Sequence, residues 1–463
     1  MRPLGCIVLA AGEGSRFKSG TPKPLHTIAG RTMLERVLIT LRKLEPQQIT
    51  VVVGVGRERV AETLATYPEV TVAVQEQQLG TGHAVDCARQ LYSDFEGDIL
   101  VTCADIPLVQ AETLQHLHDE HHRQNAVATI LTTHMPDPTG YGRVVRDDEG
   151  LVERVVEHRD ADEQTLALDE ISSGIFCFRA DRLFEALSHL DRNNAQGEYY
   201  LPGVLSYLRA NGEAVAACVA DEPDEVMGIN DRVQLAEAER ICRDRIRTRL
   251  MREGVTLLDP PTIYIDEDVE VGRDTVIWPG TCLVGRTQVG SGCDIGAHVL
   301  LHHATVGDDC RIHHCSAIIE SSVENDVEIG PFAHVRANST IKGSASVNSY
   351  CEVVRSEVGE GTKSRHFSYL GDTIIGRDAN IGAGTITCNY DGVKKHRTVI
   401  GDGAFIGSDT ILVAPVTIGK RAYTGAGSVI SHDVPDDSLA IARARQSIIE
   451  RWAQRRRAAG TTD

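Results

Sequence analysis

The sequence lacks the features that identify several common classes of protein. No apolar run approaches the roughly 20 residues that a membrane-spanning helix needs, and residues 1–12 reach a glycine before a secretory hydrophobic segment is complete. Positive charge is scarce, because 47 Lys and Arg residues stand against 66 Asp and Glu residues, a net charge of −19. This balance argues against a surface that neutralises a nucleic-acid backbone. We therefore expect a cytoplasmic protein without membrane or nucleic-acid partners.

Paired cysteines are missing as well. The twelve cysteines form no C-x-x-C pair, and Cys6, Cys177 and Cys218 fall inside apolar runs. This usage suits reduced, partly buried thiols, so we expect no disulfide framework. The chain of 463 residues is 41% hydrophobic, which is enough to form the cores of two or three domains.

The first half alternates short apolar runs with helical patterns. The runs 6–11, 49–53, 99–103 and 175–178 are strand-like, and the amphipathic stretch Met33–Leu44 lies between the first two. This alternation predicts an α/β fold with a mostly parallel, Rossmann-like sheet and helices on both faces. Because ligands bind beyond the carboxyl ends of such strands, we expect the site in the loops that follow them.

The second half has a different period. Apolar residues recur every six positions and predict a parallel β-helix whose apolar side chains fill a triangular prism. They are Ile265, Val271, Ile277, Leu283, Val289, Ile295, Val306, Ile312, Ile318, Val323, Ile329, Val335, Ile341, Val347, Val353, Ile400, Ile406, Leu412 and Ile418. The period lapses over Thr387–Thr398, which we expect to loop out.

These patterns divide the chain into four segments. We predict an α/β domain over residues 1–229, a connecting helix over 230–254, a β-helix over 255–436 and a C-terminal arm over 437–463. The arm contains a basic helical stretch, Ser447–Ala459, for which a solvated tail is favoured over a specific anion site.

The loops after the first strands carry groups suited to phosphate and metal binding. The glycine-rich segment Leu9–Phe17 lets backbone N–H groups approach phosphates, and Arg16 and Lys23 can neutralise a triphosphate. Asp105 follows a strand and offers a hard oxygen to Mg²⁺. The alternatives are an ordinary glycine-rich turn and an aspartate that caps a helix.

Clusters of histidine and cysteine elsewhere have structural interpretations. His302–His303 and Cys310–Cys315 suggest zinc, but their spacing matches no common structural site and successive strand residues point to different faces. The helical stretch with His116, His118, His121 and His122 is interpreted as a solvated face.

Five further segments, taken together with the glycine-rich loop, resemble those of a known family. They are Gln75–Ala84, Gly140–Arg143, Val156–His158, Asn194–Leu201 and Gly228–Arg232. Together they resemble the uridyltransferase half of the bacterial bifunctional N-acetylglucosamine-1-phosphate uridyltransferases and glucosamine-1-phosphate N-acetyltransferases. The β-helix segments Thr362–Asp372, Ala379–Thr385 and Asn389–Asp391 resemble the acetyltransferase half of the same family.

For the first half, the resemblance implies binding of UTP, of a sugar phosphate and of Mg²⁺. The UTP side would be held by Leu9, Ala10, Ala11, Gly12, Lys23, Gln75, Gly80, Thr81 and Asp105. The sugar would be held by Gly142, Glu157, Ser172 and Asn230, and the metal by Asp105 and Asn230. The sugar phosphate would attack the α-phosphorus of UTP and release pyrophosphate, with Arg16 and Lys23 neutralising charge.

For the second half, the resemblance implies acetyl transfer from acetyl-CoA, with His366 as the base that accepts the amine proton. The Gly382–Gly384 turn can supply a backbone N–H to the oxyanion. The sugar phosphate would be held by Arg336, Tyr369, Asn380 and Lys395, and acetyl-CoA by Ala383, Asn389, Tyr390, Ser408, Ala426 and Arg443.

The sequence departs from the family pattern at two site positions. Ser172 stands where an asparagine usually contacts the sugar, and Val354 stands where a lysine is expected to bind the substrate phosphate. Losing that cation would weaken substrate binding by about 1.5–3 kcal/mol. Arg355 could replace it only if the backbone shifted, because neighbours on a strand face opposite ways.

We therefore expect a bifunctional enzyme that acetylates glucosamine 1-phosphate and uridylates the product to UDP-N-acetylglucosamine, a precursor of bacterial wall polymers. The resemblance also implies that the β-helix is left-handed and that the protein is a homotrimer with small-molecule substrates. One alternative is a single-activity sugar-1-phosphate nucleotidyltransferase with a structural or regulatory β-helix. Another is a trimeric scaffold with a decayed enzyme fold, against which Gly12, Arg16, Lys23 and Asp105 argue.

Overall fold

A computed structural model describes residues 2–54 and 57–460 of the chain. These residues form two compact units, unit 1 up to Arg243 and unit 2 from Asp244. The division falls inside the helix Arg232–Arg252, which lies in the segment where the sequence predicts a connecting helix. Within the described ranges, no helix is long and apolar enough to cross a membrane.

Unit 1 alternates strands and helices. Its strands are β1 (Leu4–Ala10), β2 (Thr27–Ile28), β3 (Arg31–Thr32), β4 (Gln48–Val53), β5 (Val70–Val74), β6 (Asp98–Cys103), β7 (Ala128–His134), β8 (Arg143–Arg146), β9 (Val152–Val156), β10 (Glu170–Arg179) and β11 (Val215–Val219). Its helices are α1 (Met33–Arg42), α2 (Arg57–Leu64), α3 (Thr81–Asp86), α4 (Ala111–Arg123), α5 (Glu163–Leu166), α6 (Ala180–Leu187) and α7 (Gly203–Ala210), and α8 (Arg232–Arg252) leads into unit 2.

The main sheet of unit 1 has the strand order β11-β7-β10-β6-β1-β4-β5. All of these strands are parallel except β10, which runs antiparallel to both β6 and β7. The strands β8 and β9 pair with each other and extend from β10, whereas β2 and β3 form a separate pair. The mostly parallel, Rossmann-like sheet predicted from the sequence is thereby confirmed.

Apolar cores cover both faces of this sheet. Along β1, Cys6 and Val8 belong to one buried cluster and Ile7 to the other, as the alternation of a strand requires. Helix α1 packs against the first cluster through side chains such as Leu34 and Leu38. Its start is set by a capping box in which Thr32 and Glu35 satisfy each other's backbone N–H groups.

Unit 2 is a parallel β-helix with three faces. The first face contains Thr256–Leu257, Val276–Ile277, Asp294–Ile295, Arg311–Ile312, Glu328–Ile329, Asn380–Ile381, Phe405–Ile406, Tyr423–Thr424 and Leu439–Ala440. The second face contains Tyr264–Ile265, Cys282–Val284, Leu300–His302, Ala317–Ile319, His334–Arg336, Ile386–Cys388, Ile411–Val413 and Val429–Ile430. The third face contains Glu270–Val271, Gln288–Val289, Thr305–Val306, Ser322–Val323, Thr340–Ile341, Glu357–Val358, Thr373–Ile375, Thr398–Ile400 and Val416–Ile418.

Two longer strands, Ser346–Val354 and Lys363–Gly371, run from the first face around one corner into the second. The six-residue period sets the packing, because every residue of the predicted series is buried in the prism except Val271, which is half-buried. The predicted excursion is shorter than expected: Thr387 and Thr398 lie in strands, and the continuous exposed part is 390–395.

The C-terminal arm contains the helix α9 (Trp452–Ala459), whose residues are all exposed. It begins five residues later than the basic pattern predicts, because Arg451 has a positive φ of 55° and cannot lie inside a right-handed helix.

Candidate functional sites

In unit 1, the carboxyl ends of neighbouring strands bring the first predicted residues together. Leu9 is in register with Cys103 across β1 and β6, and the N–H of Ala104 donates to the Leu9 carbonyl at 2.9 Å. Asp105 therefore lies beside the glycine-rich loop that follows Ala10. Along this loop Ala10 and Ala11 are buried and Gly12 is exposed.

Lys23 lies at the centre of this site. Its Nζ donates to Asp105 Oδ2 at 2.5 Å and to Asn230 Oδ1 at 2.8 Å. Arg16 donates to the same Asn230 oxygen at 2.9 Å. A further link comes from the N–H of Ile229, which donates to the Asp105 carbonyl at 2.9 Å. Four predicted residues from three distant segments thus converge on one point.

A glycine makes this convergence possible. Gly14 has a positive φ of 64°, and a Cβ placed on it would lie 2.6 Å from the Cβ of Lys23. A larger residue would push the loop away from Lys23 and is disfavoured in this backbone conformation. The Gly14 position therefore fixes the distance between the loop and the central lysine.

A second group of predicted residues is joined by polar contacts. Gln75 is buried, and its Nε2 donates to the Gly80 carbonyl at 3.1 Å and lies 3.0 Å from Nδ1 of His83. The hydroxyl of Thr81 accepts a hydrogen bond from the N–H of Leu201 at 3.0 Å. These contacts hold the backbone of residues 79–82 in place.

The third group includes the residues assigned to the sugar. The N–H of Ser172 donates to the Gly142 carbonyl at 2.9 Å, and a Cβ on Gly142 would lie 3.5 Å from Glu157 Oε1. Burial raises the pKa of Glu157, and the nearby carboxylates of Asp160 and Glu198 raise it further. Ser172 is itself buried, and its hydroxyl accepts a weak hydrogen bond from Gly174.

Tyr141 connects the sugar group to the central lysine, and we did not predict it as a site residue. Its hydroxyl accepts a hydrogen bond from the N–H of Gly228 at 3.2 Å, two residues before Asn230. Burial raises its pKa, although the Gly228 hydrogen bond acts in the opposite direction. Its position between Gly140 and Gly142 is the sequence signal that could have identified it.

In unit 2, several predicted residues form a column along one corner of the prism. Ser364 is in register with Ile381, and Ile381 with Ile406, so residues two positions later also stack. The corner column is therefore His366, Ala383, Ser408 and Ala426 on successive coils. Successive coils lie about 4.8 Å apart.

The corner column offers backbone donors. The N–H groups of Ala383, Ser408 and Ala426 have no hydrogen-bond acceptor among the residues that the structure describes. The carbonyls of Ala383 and Ser408, by contrast, accept hydrogen bonds from the next coil. Asp409, for example, donates to the Ala383 carbonyl at 2.7 Å. His366 and Ser408 are exposed, and the small side chains along the corner leave room beside these donors.

A polar cluster lies on the second face, near the end of strand Lys363–Gly371. Asn389 is buried and donates to Asp372 and, at 3.5 Å, to the Tyr369 hydroxyl. Arg355 forms a bidentate pair with Asp372 at 2.7 and 2.9 Å. Hydrogen bonds from Arg355, opposed by partial burial and assisted by Asn389, lower the pKa of Asp372.

The residues assigned to the sugar phosphate do not all meet within unit 2. Arg336 is in register with Val354 on the second face, near Tyr369, and pairs with Glu352 at 2.8 Å. Asn380 lies instead on the first face, in register with Lys363. Lys395 is exposed in the excursion and lies close enough to Asp372 to lower its pKa.

The remaining residues assigned to acetyl-CoA are exposed. The Tyr390 hydroxyl donates to the Gly392 carbonyl at 2.6 Å within the excursion. Arg443 follows the last strand of the first face, and a Cβ on Gly427 would lie 3.8 Å from its Cδ. Gly427 directly follows Ala426, so Arg443 borders the far end of the corner column.

Comparison with known proteins agrees with the division of the chain into an α/β unit and a β-helix unit. The MobA-like NTP transferase domain family matches residues 6–201, and the bacterial transferase hexapeptide family (six repeats) matches residues 397–432. A bifunctional protein GlmU from Trichlorobacter lovleyi is 46% identical over 97% of this chain and 98% of the relative. The bifunctional protein GlmU from a Geobacillus species is 47% identical over 97% of this chain and 97% of the relative. The one from Listeria monocytogenes is 46% identical over 95% of this chain and 96% of the relative.

The chain belongs to the GlmU family. It is a bifunctional enzyme with uridyltransferase and acetyltransferase activities, and the single-activity alternative is not favoured. The α/β nucleotidyltransferase fold followed by a left-handed β-helix, expected from the sequence, is confirmed.

One structural expectation about this GlmU family member is wrong. His118 and His121 do not lie on a solvated face of α4, because both are buried, with 4% and 1% of their surface exposed. The cause is Asp98, a buried carboxylate at the start of β6 that attracts their imidazoles. The clusters His302–His303 and Cys310–Cys315 bring no three metal-ligating side chains together in the part of the chain that the structure describes.

Proposed function

We propose that unit 1 transfers UMP from UTP to N-acetylglucosamine 1-phosphate around Lys23, and that unit 2 acetylates glucosamine 1-phosphate along the corner column that starts at His366. The convergence of Lys23, Asp105 and Asn230 carries the first assignment. The open backbone donors beside His366 support the second.

The donor set in unit 1 suits Mg²⁺. Asp105 contributes a carboxylate oxygen and Asn230 an amide oxygen, and both already face one cation, the Lys23 ammonium. Hard oxygen donors of this kind are those that Mg²⁺ prefers. When bound there, the ion would neutralise charge on the phosphates of UTP.

The protein's own part in uridyl transfer is positioning and charge neutralisation. The glycine-rich loop would bring its N–H groups to the triphosphate, while Arg16 and Lys23 would stabilise negative charge as pyrophosphate leaves. Lys23 must then leave Asp105 and turn toward the phosphates. The buried Gln75 and the fixed 79–82 backbone would bind the base, and Gly142, Glu157 and Ser172 would bind the sugar.

In unit 2, His366 would accept the proton of the glucosamine amine as its nitrogen attacks the thioester carbonyl. The carbon–sulfur bond then breaks, His366 passes the proton to the departing sulfur so that coenzyme A leaves as the thiol, and the sugar keeps the acetyl group. The Ala383 N–H lies one coil from His366 and has no acceptor among the described residues, so it could stabilise the oxyanion.

The corner column suits the arm of acetyl-CoA. That arm is extended and contains amides, and the Ser408 and Ala426 N–H groups offer matching donors on successive coils. Arg443, at the far end, can bind the phosphates of the coenzyme. Asn389 and Tyr390 would contact it from the side of the excursion.

The sugar phosphate of the acetyl-transfer reaction would bind beside Tyr369, with Arg336 and Lys395 as its cations. Asn380 lies around the corner on the first face, so its role requires a second copy of the chain. An exposed aromatic row of Phe332 and Tyr350, stacked at 5.1 Å, supports such an interface. We therefore propose a homotrimer whose acetyltransferase sites lie between subunits.

The test compares His366→Gln with the matched control His302→Gln, four coils away. We expect thiol release from acetyl-CoA with glucosamine 1-phosphate to fall at least 100-fold in His366→Gln, with pyrophosphate release from UTP unchanged. The control should retain both activities. Thiol release that persists in His366→Gln would remove His366 from the mechanism.

A further inference from the structure

A cluster of histidines lies at the end of β6 opposite to the candidate active site. Asp98 begins this strand, and Asp105 follows its other end about 20 Å away. Asp98 is fully buried, and α4 presents His118, His121 and His122 to it. The spacing of i, i+3 and i+4 places these three imidazoles on one face of the helix.

Three ligand atoms form a compact triangle. Nε2 of His122 lies 2.9 Å and Nε2 of His118 lies 3.4 Å from Oδ2 of Asp98, and the two nitrogens are 3.1 Å apart. A tetrahedral ion with bonds of about 2.0 Å has ligand-to-ligand edges of about 3.3 Å. The observed edges bracket that value, and in residues 2–54 and 57–460 no other group of three metal-ligating side chains is this close.

His121 provides an independent sign of a missing ligand. It is 99% buried, and its Nε2 has no hydrogen-bond partner among the described residues. This atom faces Asp98 Oδ1 at 3.6 Å, beyond hydrogen-bond distance. Its other nitrogen, Nδ1, is 2.8 Å from the Thr129 hydroxyl, which can hold the proton on Nδ1 and leave Nε2 with a free lone pair.

A path to the cluster exists from outside. A cavity of about 330 Å³ is bordered by Arg2, His121, His122 and Asn125. Arg2 lies 3.5 Å from Oδ1 of Asp98, so it contacts the carboxylate oxygen that the triangle does not use. The charge of Arg2 thus orients Asp98 without occupying the centre of the cluster.

We propose that Asp98, His118 and His122 bind one divalent transition-metal ion of the zinc class, beside the buried imidazole of His121. Two imidazoles and one carboxylate favour such an ion over Mg²⁺, which prefers oxygen donors. The site would tie α4 to the central strand of unit 1 and so stabilise the fold, separately from the chemistry at Lys23. This inference does not depend on the proposed function.

The experiment measures Zn²⁺ and Co²⁺ binding to the full chain in excess Mg²⁺, by titration calorimetry and by visible absorption. We expect one ion per chain, a tetrahedral Co²⁺ spectrum without thiolate charge transfer, and a rise in thermal stability with Zn²⁺. His122→Gln, which changes a partly exposed side chain, should weaken binding at least tenfold, and His118→Gln should do the same.

The matched control is His116→Gln on the same helix, because His116 lies outside the cluster. It should bind both metals as the unchanged chain does. A chain that binds neither ion with this stoichiometry would overturn the proposal, as would His122→Gln binding that equals the control. If His118→Gln does not fold, the comparison of His122→Gln with His116→Gln decides the outcome.

Discussion

Replacing Lys23 by methionine separates two roles that the geometry gives to one side chain. The Lys23 ammonium contacts Asp105 and Asn230, the pair that would hold Mg²⁺. In the absence of substrates it therefore competes with the metal, whereas during reaction it would stabilise the phosphates. Lys23→Met keeps the length of the side chain and removes its charge, so we expect metal affinity to rise while catalysis falls.

The magnitudes follow from the contacts. Loss of one donor to developing charge costs about 2.7–4 kcal/mol, so kcat/KM for pyrophosphate release should fall about 100- to 1000-fold. A unit positive charge about 4 Å from the Asp105 carboxylate interacts with it by about 4 kcal/mol at an effective dielectric constant of 20. Because the Asp105 side chain is 27% exposed, solvent screening reduces this effect. We expect metal binding to tighten by about tenfold, or about 1.4 kcal/mol.

The assay titrates the free protein with Mn²⁺ as a paramagnetic substitute for Mg²⁺, followed by electron paramagnetic resonance, and measures pyrophosphate release separately. Lys43→Met, an exposed lysine at the end of α1, is the matched control and should change neither quantity. Metal binding that weakens in Lys23→Met would refute the assignment of Asp105 and Asn230. Pyrophosphate release within a few-fold of the unchanged chain would refute the role of Lys23.

Three other changes test the remaining assignments. Ala426→Phe should fill the corner column and raise the KM for acetyl-CoA at least tenfold. The control Ala297→Phe, at an equivalent corner position on a distant coil, should leave that KM unchanged. Equal effects of the two substitutions would contradict the assignment. The folded state raises the pKa of Glu157, so ionisation of this carboxyl lowers the stability of the protein as the pH rises through that pKa. The thermal stability of Glu157→Gln relative to the unchanged chain should therefore increase with pH. A difference in stability that does not depend on pH would contradict this cause. Val354→Lys should lower the KM for glucosamine 1-phosphate about tenfold or more, with kcat unchanged, as measured by thiol release; an unchanged KM would show that the phosphate lies elsewhere.

Periodicity predicted the β-helix because each apolar residue has the same environment on every coil. Ile277 and Ile295, for example, are both fully buried and in register. In unit 1 the pattern predicted the parallel strands but not the direction of β10. An antiparallel strand buried between β6 and β7 has the same apolar character as its parallel neighbours, so its direction depends on chain connectivity.

Candidate site residues could be named where family motifs mark them, and they were missed where contacts between distant segments decide their surroundings. Asp105 and His366 were proposed from their motifs, and their roles stay predictions. The burial of His118 and His121 depends on Asp98, which lies 20 or more residues earlier and belongs to a strand rather than to their helix. A helical pattern with polar residues gives no sign of such a partner.

The two sites must each bind a sugar phosphate, but their cations are arranged differently. In unit 1, Lys23 and Arg16 converge on one amide oxygen with a single carboxylate nearby, so substrate phosphates meet an excess of positive charge. In unit 2, Arg336 is already paired with Glu352, and a phosphate must compete with that carboxylate. Val354 adds no charge. The KM for the sugar phosphate should therefore be higher in acetyl transfer than in uridyl transfer. It should also rise less steeply with salt in acetyl transfer, because fewer unpaired cations there attract the phosphate.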